Sequence, residues 1–129
     1  MILDSSAVLA ILFREAAFEA YEAAIADAPS RSISAANFVE VSIVVESRGG
    51  HGAVQQWDAL VREAEIGVES VTGEQALLAR QAFYDYGKGR HPAGLNFGDC
   101  FAYALAKSAG EPLLFKGEDF LQTDVVPAL

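Results

Sequence analysis

The chain contains a single cysteine, Cys100, among its 129 residues, so an internal disulfide is excluded. Such cysteine usage suits a reducing compartment, and the apolar neighbours of Cys100 favour a small buried side chain over a nucleophile. The sequence also lacks any apolar run approaching the roughly 20 residues that cross a bilayer, and no basic leader precedes its apolar N-terminus. We therefore expect a cytoplasmic protein with no membrane association.

Basic residues are also scarce. Nine Lys and Arg stand against 18 Asp and Glu, which gives a formal net charge of −9. This balance argues against a general nucleic-acid binder and suits a basic protein partner. Two points weaken the objection to nucleic acid. A bound metal ion would cancel part of a local acidic cluster, and Lys88, Arg90 and His91 lie together in one segment.

Several familiar motifs are absent. The sequence has no GxxxxGK[ST] phosphate loop, no GxGxxG dinucleotide motif and no GxSxG nucleophile elbow. His51 and His91 have no Cys or His neighbours at zinc-binding spacing. No repeat or low-complexity tract interrupts the chain, and hydrophobic residues make up 52% of it. Length and composition therefore predict one folded domain over residues 1–129.

Short apolar runs alternate with longer segments of helical periodicity. The runs predict strands at Ile2–Leu3, Arg31–Ile33, Ile66–Val71 and Leu113–Phe115, with a last one at Val125–Val126. Helices are predicted from Ser5 or Ser6 to Phe13, over 15–27, from Ser34 to Gly49–Gly50, over 54–61, from Thr72 to Tyr86, and from Asn96 to Ser108. This order predicts an α/β domain with a mainly parallel sheet, in which ligands bind beyond the carboxyl ends of the strands.

Four acidic residues interrupt or close the apolar segments: Asp4, Glu40, Asp99 and Asp119. A carboxylate beside a core is costly unless its charge is compensated. Three of the four lie at strand ends or in the helical turn that follows, and Glu40 lies on a helix that could face them. Because Mg²⁺ prefers oxygen ligands with a few carboxylates, this arrangement predicts a metal-dependent hydrolase.

The first two acids also have structural explanations. Asp4 could cap the helix that follows, although Ser5 and Ser6 already offer a cap. Glu40 shares a polar stripe with Asn37, and that stripe could simply face water.

The last two acids have structural explanations as well. Asp99 stands three residues after Asn96, the spacing of a capping box, and a cap in the first helical turn could also bind metal. Asp119 lies in a turn-like segment, where Asp is common. Glu118 and Asp124 are alternatives to Asp119 as the fourth acid.

Three segments carry a family resemblance: Met1–Ala10, Asn96–Ala104 and Pro112–Phe120. They resemble the PIN-domain ribonucleases, and most closely the VapC toxins of VapBC toxin–antitoxin pairs. The resemblance covers essentially the whole chain. It implies a three-layer α/β/α fold with a central, mainly parallel sheet of four or five strands.

The resemblance also implies site residues. Asp4, Glu40, Asp99 and Asp119 fall on the family's four acidic positions, and Asp4 and Asp99 match its best-defined metal ligands. Ser6 matches a small hydroxyl position that can hydrogen-bond the acids. After the fourth strand the family often has Thr or Ser with Asn or Asp, where this chain has Phe115-Lys116-Gly117.

The expected function is therefore RNA cleavage dependent on Mg²⁺, with Mn²⁺ as an alternative ion. Asp4 and Asp99 would hold the metal, and Glu40 and Asp119 would complete its shell through water or recruit a second ion. Positive charge near the site would contact the RNA backbone. Its candidate sources are four side chains: Lys88, Arg90, His91 and Lys116.

The expected partners are a VapB-type antitoxin, whose Arg would meet the carboxylates, and a second copy of the chain in a homodimer. The alternative function is a noncatalytic PIN-like protein-binding module, which failure to bind Mg²⁺ or Mn²⁺ would favour. A phosphatase or phosphotransfer receiver fits poorly, because Ser5 and Ser6 follow Asp4 where those families need further acids.

Overall fold

The computed structural model describes all of residues 1–129 as alternating short strands and helices. The elements are β1 (Ile2–Leu3), α1 (Ser5–Leu12), α2 (Phe18–Asp27), β2 (Ser32–Ser34), α3 (Ala35–Glu63), β3 (Gly67–Glu69), α4 (Gly73–Tyr86), α5 (Phe97–Ala109), β4 (Leu113–Leu114) and a 3₁₀ turn at Asp119–Gln122. All four predicted core strands are present, and the segment that contains Lys88, Arg90 and His91 separates α4 from α5.

The four strands form one parallel sheet in the order β3-β2-β1-β4. The first strand is therefore central, with Ile2 paired to Ser32 on one side and to Leu113 on the other. Parallel strands need crossover connections, and the helices supply them. The carboxyl ends of β1 and β4 therefore open onto the same edge of the sheet.

Two hydrophobic cores cover the two faces of the sheet, because successive side chains of a strand point to opposite sides. Leu3 belongs to the core formed with α1, α2 and α3, whereas Ile2 belongs to the core formed with α4 and α5. Trp57 is almost completely buried in the first core, and Cys100 is buried in the second. The three-layer α/β/α arrangement predicted by the resemblance is confirmed.

Helix α3 consists of two helical segments that meet at a kink. The break predicted at Gly49–Gly50 is confirmed at Gly50, whose φ of 67° and ψ of −159° are non-helical. The second segment follows the kink directly, earlier than the predicted start near residue 54, and ends at Glu63. Glycine tolerates this positive φ without steric cost, so the chain can bend there without a loop.

The C-terminal segment forms less sheet than predicted. Val125–Val126 is not a strand, and only an isolated parallel bridge joins Leu113 to Pro127. The Leu113 amide donates to the Val126 carbonyl at 2.9 Å, and the Ala128 amide donates to the Leu113 carbonyl at 2.9 Å. The bridge uses the groups on either side of Pro127, so the missing amide hydrogen of this proline costs no bond to β4.

None of the helices combines the length and the apolar character that a membrane crossing requires.

Candidate metal and nuclease site

Asp4 lies where β1 ends and α1 begins, and it is 3% exposed. It caps α1 itself: its Oδ2 accepts hydrogen bonds from the Ser6 amide at 3.0 Å and from the Ser6 hydroxyl. The prediction that Ser5 or Ser6 would be the cap is wrong, because Asp4 has the extended backbone of a cap residue and the helix begins at Ser5. Only Oδ2 is used, so capping leaves the other oxygen available.

Asp99 occupies the first turn of α5 and forms the predicted capping box with Asn96. The Asp99 amide donates to Asn96 Oδ1 at 2.9 Å, and the Asn96 amide donates to Asp99 Oδ2 at 3.0 Å. These two bonds satisfy amides that would otherwise lack partners at the start of the helix. They also fix the half-buried Asp99 carboxylate near the carboxyl end of β1.

Glu40 turns inward from α3 instead of facing water. Its Oε1 accepts hydrogen bonds from the Ser5 hydroxyl and from Asn37 Nδ2, the latter at 3.3 Å. Asn37 is completely buried and also donates to the Gly98 carbonyl at 2.9 Å. The solvent-facing stripe considered for Asn37 and Glu40 is therefore wrong, since both side chains contact neighbouring elements.

Three residues of this arrangement, Ser5, Asn37 and Gly98, were not predicted as site residues. The position of Asn37 three residues before Glu40 on a helix was a usable signal, because such residues are neighbours on one face. The roles of Ser5 and Gly98 depend on contacts between separate helices, which local sequence patterns do not report.

The fourth acid is distinguished by its surroundings. Asp119 begins the 3₁₀ turn, is exposed, and is close enough for its charge to raise the pKa of Asp99. Asp124 lies in a different cluster, where it accepts hydrogen bonds from the Tyr103 hydroxyl at 2.6 Å and Lys107 Nζ at 2.9 Å. Glu118 is exposed just before the 3₁₀ turn. The geometry favours Asp119 among the three alternatives.

Burial and mutual repulsion make the acidic pocket of Asp4, Glu40, Asp99 and Asp119 electrostatically unfavourable. Burial, with the charges of Asp99 and Glu40, raises the pKa of Asp4 to about 7, although hydrogen bonds from Ser6 oppose the rise. Burial, with the charges of Asp119 and Glu40, also raises the pKa of Asp99. A cation in this pocket would favour the ionised forms and reverse both effects.

The pocket contains an atom suited to a cation. Asp4 Oδ1 is buried and has no hydrogen-bond partner, and an unpaired buried carboxylate oxygen is costly. Carboxylate oxygens are the ligands that Mg²⁺ and Mn²⁺ prefer. However, no three His, Cys, Asp or Glu side chains are placed as a finished metal-ligand group. The residues therefore fit an ion held by one or two carboxylates with water, as is common for Mg²⁺.

The four predicted RNA-binding residues are not gathered at the carboxylates. Lys116 is nearest, since its amide donates to the Ser6 hydroxyl at 2.9 Å, but its ammonium group pairs with Glu15 at 2.8 Å.

The other three lie in the loop between α4 and α5. Arg90 stacks over Phe83 and Tyr84, with its guanidinium carbon 5.4 and 5.5 Å from the ring centroids. His91 Nδ1 accepts from the Ala93 amide at 3.0 Å, and Lys88 is exposed.

Known proteins share the sequence pattern and the fold of this chain. The PIN domain family model matches residues 1–126. Ribonuclease VapC of Mycolicibacterium smegmatis is 50% identical over 97% of each chain. Ribonuclease VapC28 of Mycobacterium tuberculosis is 51% identical over 100% of this chain and 98% of its own length. The crystal structure of M. tuberculosis VapC20, described as a sarcin–ricin loop cleaving toxin, shares the fold with a TM-score of 0.78 at 20% identity, over 97% of this chain and 95% of its own. The chain therefore belongs to the PIN-domain family and, within it, to the VapC ribonucleases, the toxins of toxin–antitoxin pairs.

Proposed function

We propose that the acidic pocket is the ribonuclease active site and that it works with Mg²⁺ or Mn²⁺. Asp4 and Asp99 would hold the ion, and Glu40 and Asp119 would complete its surroundings through water. The single observation that carries this proposal is the buried, unpaired Oδ1 of Asp4 in a pocket of repelling carboxylates. When bound, such an ion supplies activation of water and neutralisation of charge on the phosphate.

The protein's own groups supply positioning. Ser6 holds Asp4 Oδ2 through its amide and hydroxyl, and Oδ1 is left without a hydrogen-bond partner. Asn96 fixes Asp99 through the capping box. Because a bound ion would activate water, water is the proposed nucleophile and no covalent bond between enzyme and substrate is required. RNA cleavage would proceed by hydrolysis of a phosphodiester bond.

The test is RNA cleavage by purified wild-type protein and by the variants Asp99→Asn and Asp124→Asn in Mg²⁺, in Mn²⁺ and in EDTA. Loss of several kcal/mol of charge stabilisation should lower cleavage by Asp99→Asn about 10³-fold. Asp124→Asn should cleave as wild type does, because its carboxylate belongs to another cluster. Wild-type activity in EDTA, or in Asp99→Asn, would contradict the proposal.

A basic antitoxin segment is the proposed protein partner at this site. The net charge of −9 and the acidic pocket favour a ligand carrying Arg. Exposed apolar side chains adjoin the pocket residues in the sequence: Val39, 54% exposed, precedes Glu40, and Phe97, 79% exposed, precedes Gly98. A solved toxin–antitoxin complex from Klebsiella pneumoniae has the same fold, with a TM-score of 0.72 at 17% identity over 99% of this chain and 97% of its own.

Co-expression with a candidate VapB-type antitoxin tests this partner. Copurification that is lost in Phe97→Asp and retained in Leu77→Asp, which is also exposed but lies on α4, would support it. Equal binding by both variants would contradict the assigned surface. We also propose a homodimer, for which light scattering of the isolated chain should give twice the mass of 13.7 kDa.

A further inference from the structure

Asn37 is a polar side chain buried without any solvent exposure, at the start of α3. Its Nδ2 donates to the Gly98 carbonyl of α5 at 2.9 Å and to Glu40 Oε1 at 3.3 Å. A buried amide is costly unless its hydrogen bonds are made. Nδ2 makes two bonds, and the one to Gly98 joins two helices that no local sequence pattern connects, whereas Oδ1 is buried without a partner. Asn37 therefore holds Glu40 at a defined position relative to the start of α5.

Ser5 approaches the same carboxylate from a third helix. The Ser5 hydroxyl, on α1, donates to the same Oε1 of Glu40 that Asn37 contacts. Both donors thus bind one oxygen of the carboxylate, Oε1. Because Ser5 and Asn37 are neutral, they orient Glu40 without cancelling the negative charge that a cation would need. A Lys or Arg in either place would instead compete with the cation.

Gly98 provides the space for the Glu40 carboxylate. A Cβ atom at Gly98 would lie 2.7 Å from Glu40 Cδ and from Oε1, and closer still to Oε2, far inside the contact limit. A side chain here would meet the flexible end of Glu40, so the carboxylate would move out of the pocket while the backbone stays in place. Gly98 immediately precedes Asp99, which ties the position of Glu40 to that of a proposed metal ligand.

We propose that Asn37 and Ser5 are positioning residues that orient Glu40 toward the cation, and that Gly98 keeps the space in which Glu40 is held. This inference rests on the proposed function and deepens it. Groups that orient ligands from outside typically change metal affinity or activity by 10- to 100-fold when removed. Glu40 has three side-chain torsions, so an untethered carboxylate would spend less time in the productive orientation.

The experiment measures Mn²⁺ binding to the whole chain by calorimetry and by the Mn²⁺ electron paramagnetic resonance signal, without RNA. The variants are Asn37→Ala, Ser5→Ala and Gly98→Ala. We expect affinity to fall about 10- to 100-fold for Asn37→Ala and Gly98→Ala, and less for Ser5→Ala because Asn37 still holds the same oxygen. Gly98→Ala should keep α5 folded, since alanine is favoured over glycine within a helix.

Two matched controls separate positioning from general damage. Gly52→Ala is also a glycine replacement within a helix, but open space surrounds it. Ser42→Ala removes a partly buried hydrogen-bond partner of Trp57 in the same helix as Asn37, at 3.0 Å from Trp57 Nε1. Both should bind Mn²⁺ as wild type does, even if Ser42→Ala unfolds at a lower temperature.

A double-mutant cycle with Glu40→Gln completes the test. If Asn37 and Gly98 act through Glu40, their substitution in the Glu40→Gln background should change Mn²⁺ affinity by less than about twofold. Weakened binding in Glu40→Gln with wild-type binding in Asn37→Ala and Gly98→Ala would overturn the inference and leave the proposed site intact. Unchanged binding in Asp4→Asn and Asp99→Asn would instead overturn the proposed site itself.

Discussion

The acidic pocket and the Asp124 cluster lie at different places along α5, and their carboxylates behave in opposite ways. Asp4, in the pocket, is buried, has an oxygen without a partner, and has a pKa raised to about 7 by burial and by neighbouring charges. Asp124 is half-exposed, and hydrogen bonds from Tyr103 and Lys107 lower its pKa.

The difference shows how to separate a structural carboxylate from a functional one. Asp124 receives a hydroxyl and an ammonium group, so its negative charge favours the folded chain. In the pocket, Asp4 receives only the amide and hydroxyl of Ser6, and its nearest charged neighbours are other acids. Such an arrangement lowers stability, and it is retained where a cation or a reaction uses it.

The largest expected effect concerns the stability of the metal-free protein. The pKa of Asp4 is higher in the folded chain than in the unfolded one, so the folded state binds more protons between about pH 4 and 7. Stability should therefore fall as the pH rises through this range and then level off. A pKa near 7 instead of 3.8 corresponds to at most about 4 kcal/mol.

Asp4→Asn should remove this loss, because asparagine also caps helices but carries no charge. Urea unfolding in EDTA at pH 5 and pH 8 measures the difference between variant and wild type. Adding Mn²⁺ at pH 8 should restore the stability that the wild-type protein has lost, and it should leave the stability of the variant unchanged. If the variant were less stable than wild type at pH 8 without metal, the claim that the Asp4 charge destabilises the fold, unlike that of Asp124, would be wrong.

A smaller effect is expected at Ser6, which links the pocket to β4. Its hydroxyl donates to Asp4 Oδ2 and accepts from the Lys116 amide at 2.9 Å. Ser6→Ala should lower the rate of RNA cleavage about 10-fold by loosening Asp4. Ser32→Ala is a suitable control, because its hydroxyl has only a 3.4 Å contact with Glu69 at the other edge of the sheet. Equal rates in the two variants would contradict the role given to Ser6.

The Asp124 carboxylate should have the opposite effect on the stability of the folded chain. Asp124→Ala removes partners of Tyr103 and Lys107 and should cost about 1 kcal/mol at pH 7, a modest value because the carboxylate is exposed. Since the folded-state pKa of Asp124 is lowered, its contribution is present at neutral pH and is lost as the pH falls through that pKa. Thermal unfolding of wild type and variant at pH 7 and pH 3 measures it.

The smallest expected effect is a difference in RNA binding between variants of two ion-paired lysines, Lys116 and Lys107. Lys116 pairs with Glu15 at 2.8 Å beside the pocket, and Lys107 pairs with Asp124 at 2.9 Å in the other cluster. Lys116→Ala should weaken RNA binding a few-fold. It should also reduce the slope of log affinity against log salt concentration by about one, the value for one phosphate contact. Lys107→Ala should change neither quantity. Binding to a labelled RNA in EDTA at several salt concentrations compares them.

Much of the fold followed from local patterns. The four core strands and the Asn96–Asp99 capping box depend on residues close together in the chain, so periodicity and spacing could predict them. The break in α3 at Gly50 also followed from the sequence, since the Gly49–Gly50 pair marks a position where helical backbone is easily interrupted. The last predicted strand was reduced to one bridge, since pairing at a sheet edge depends on the neighbouring strand.

The sequence by itself determined the parallel α/β architecture, because alternating apolar runs and amphipathic helices permit few other arrangements. It also supplied Asp4 and Asp99, whose positions at a strand end and a helix start follow from local signals. The hydrogen-bond partners of these two acids, Ser6 and Asn96, are also close in the chain. Only the tertiary structure decided how the acids are brought together. The inward orientation of Glu40, its bonds to Ser5 and Asn37, and the separation of Asp124 from the pocket all depend on contacts between elements distant in the chain. Such contacts are set by how the helices pack on the sheet, which no local pattern encodes.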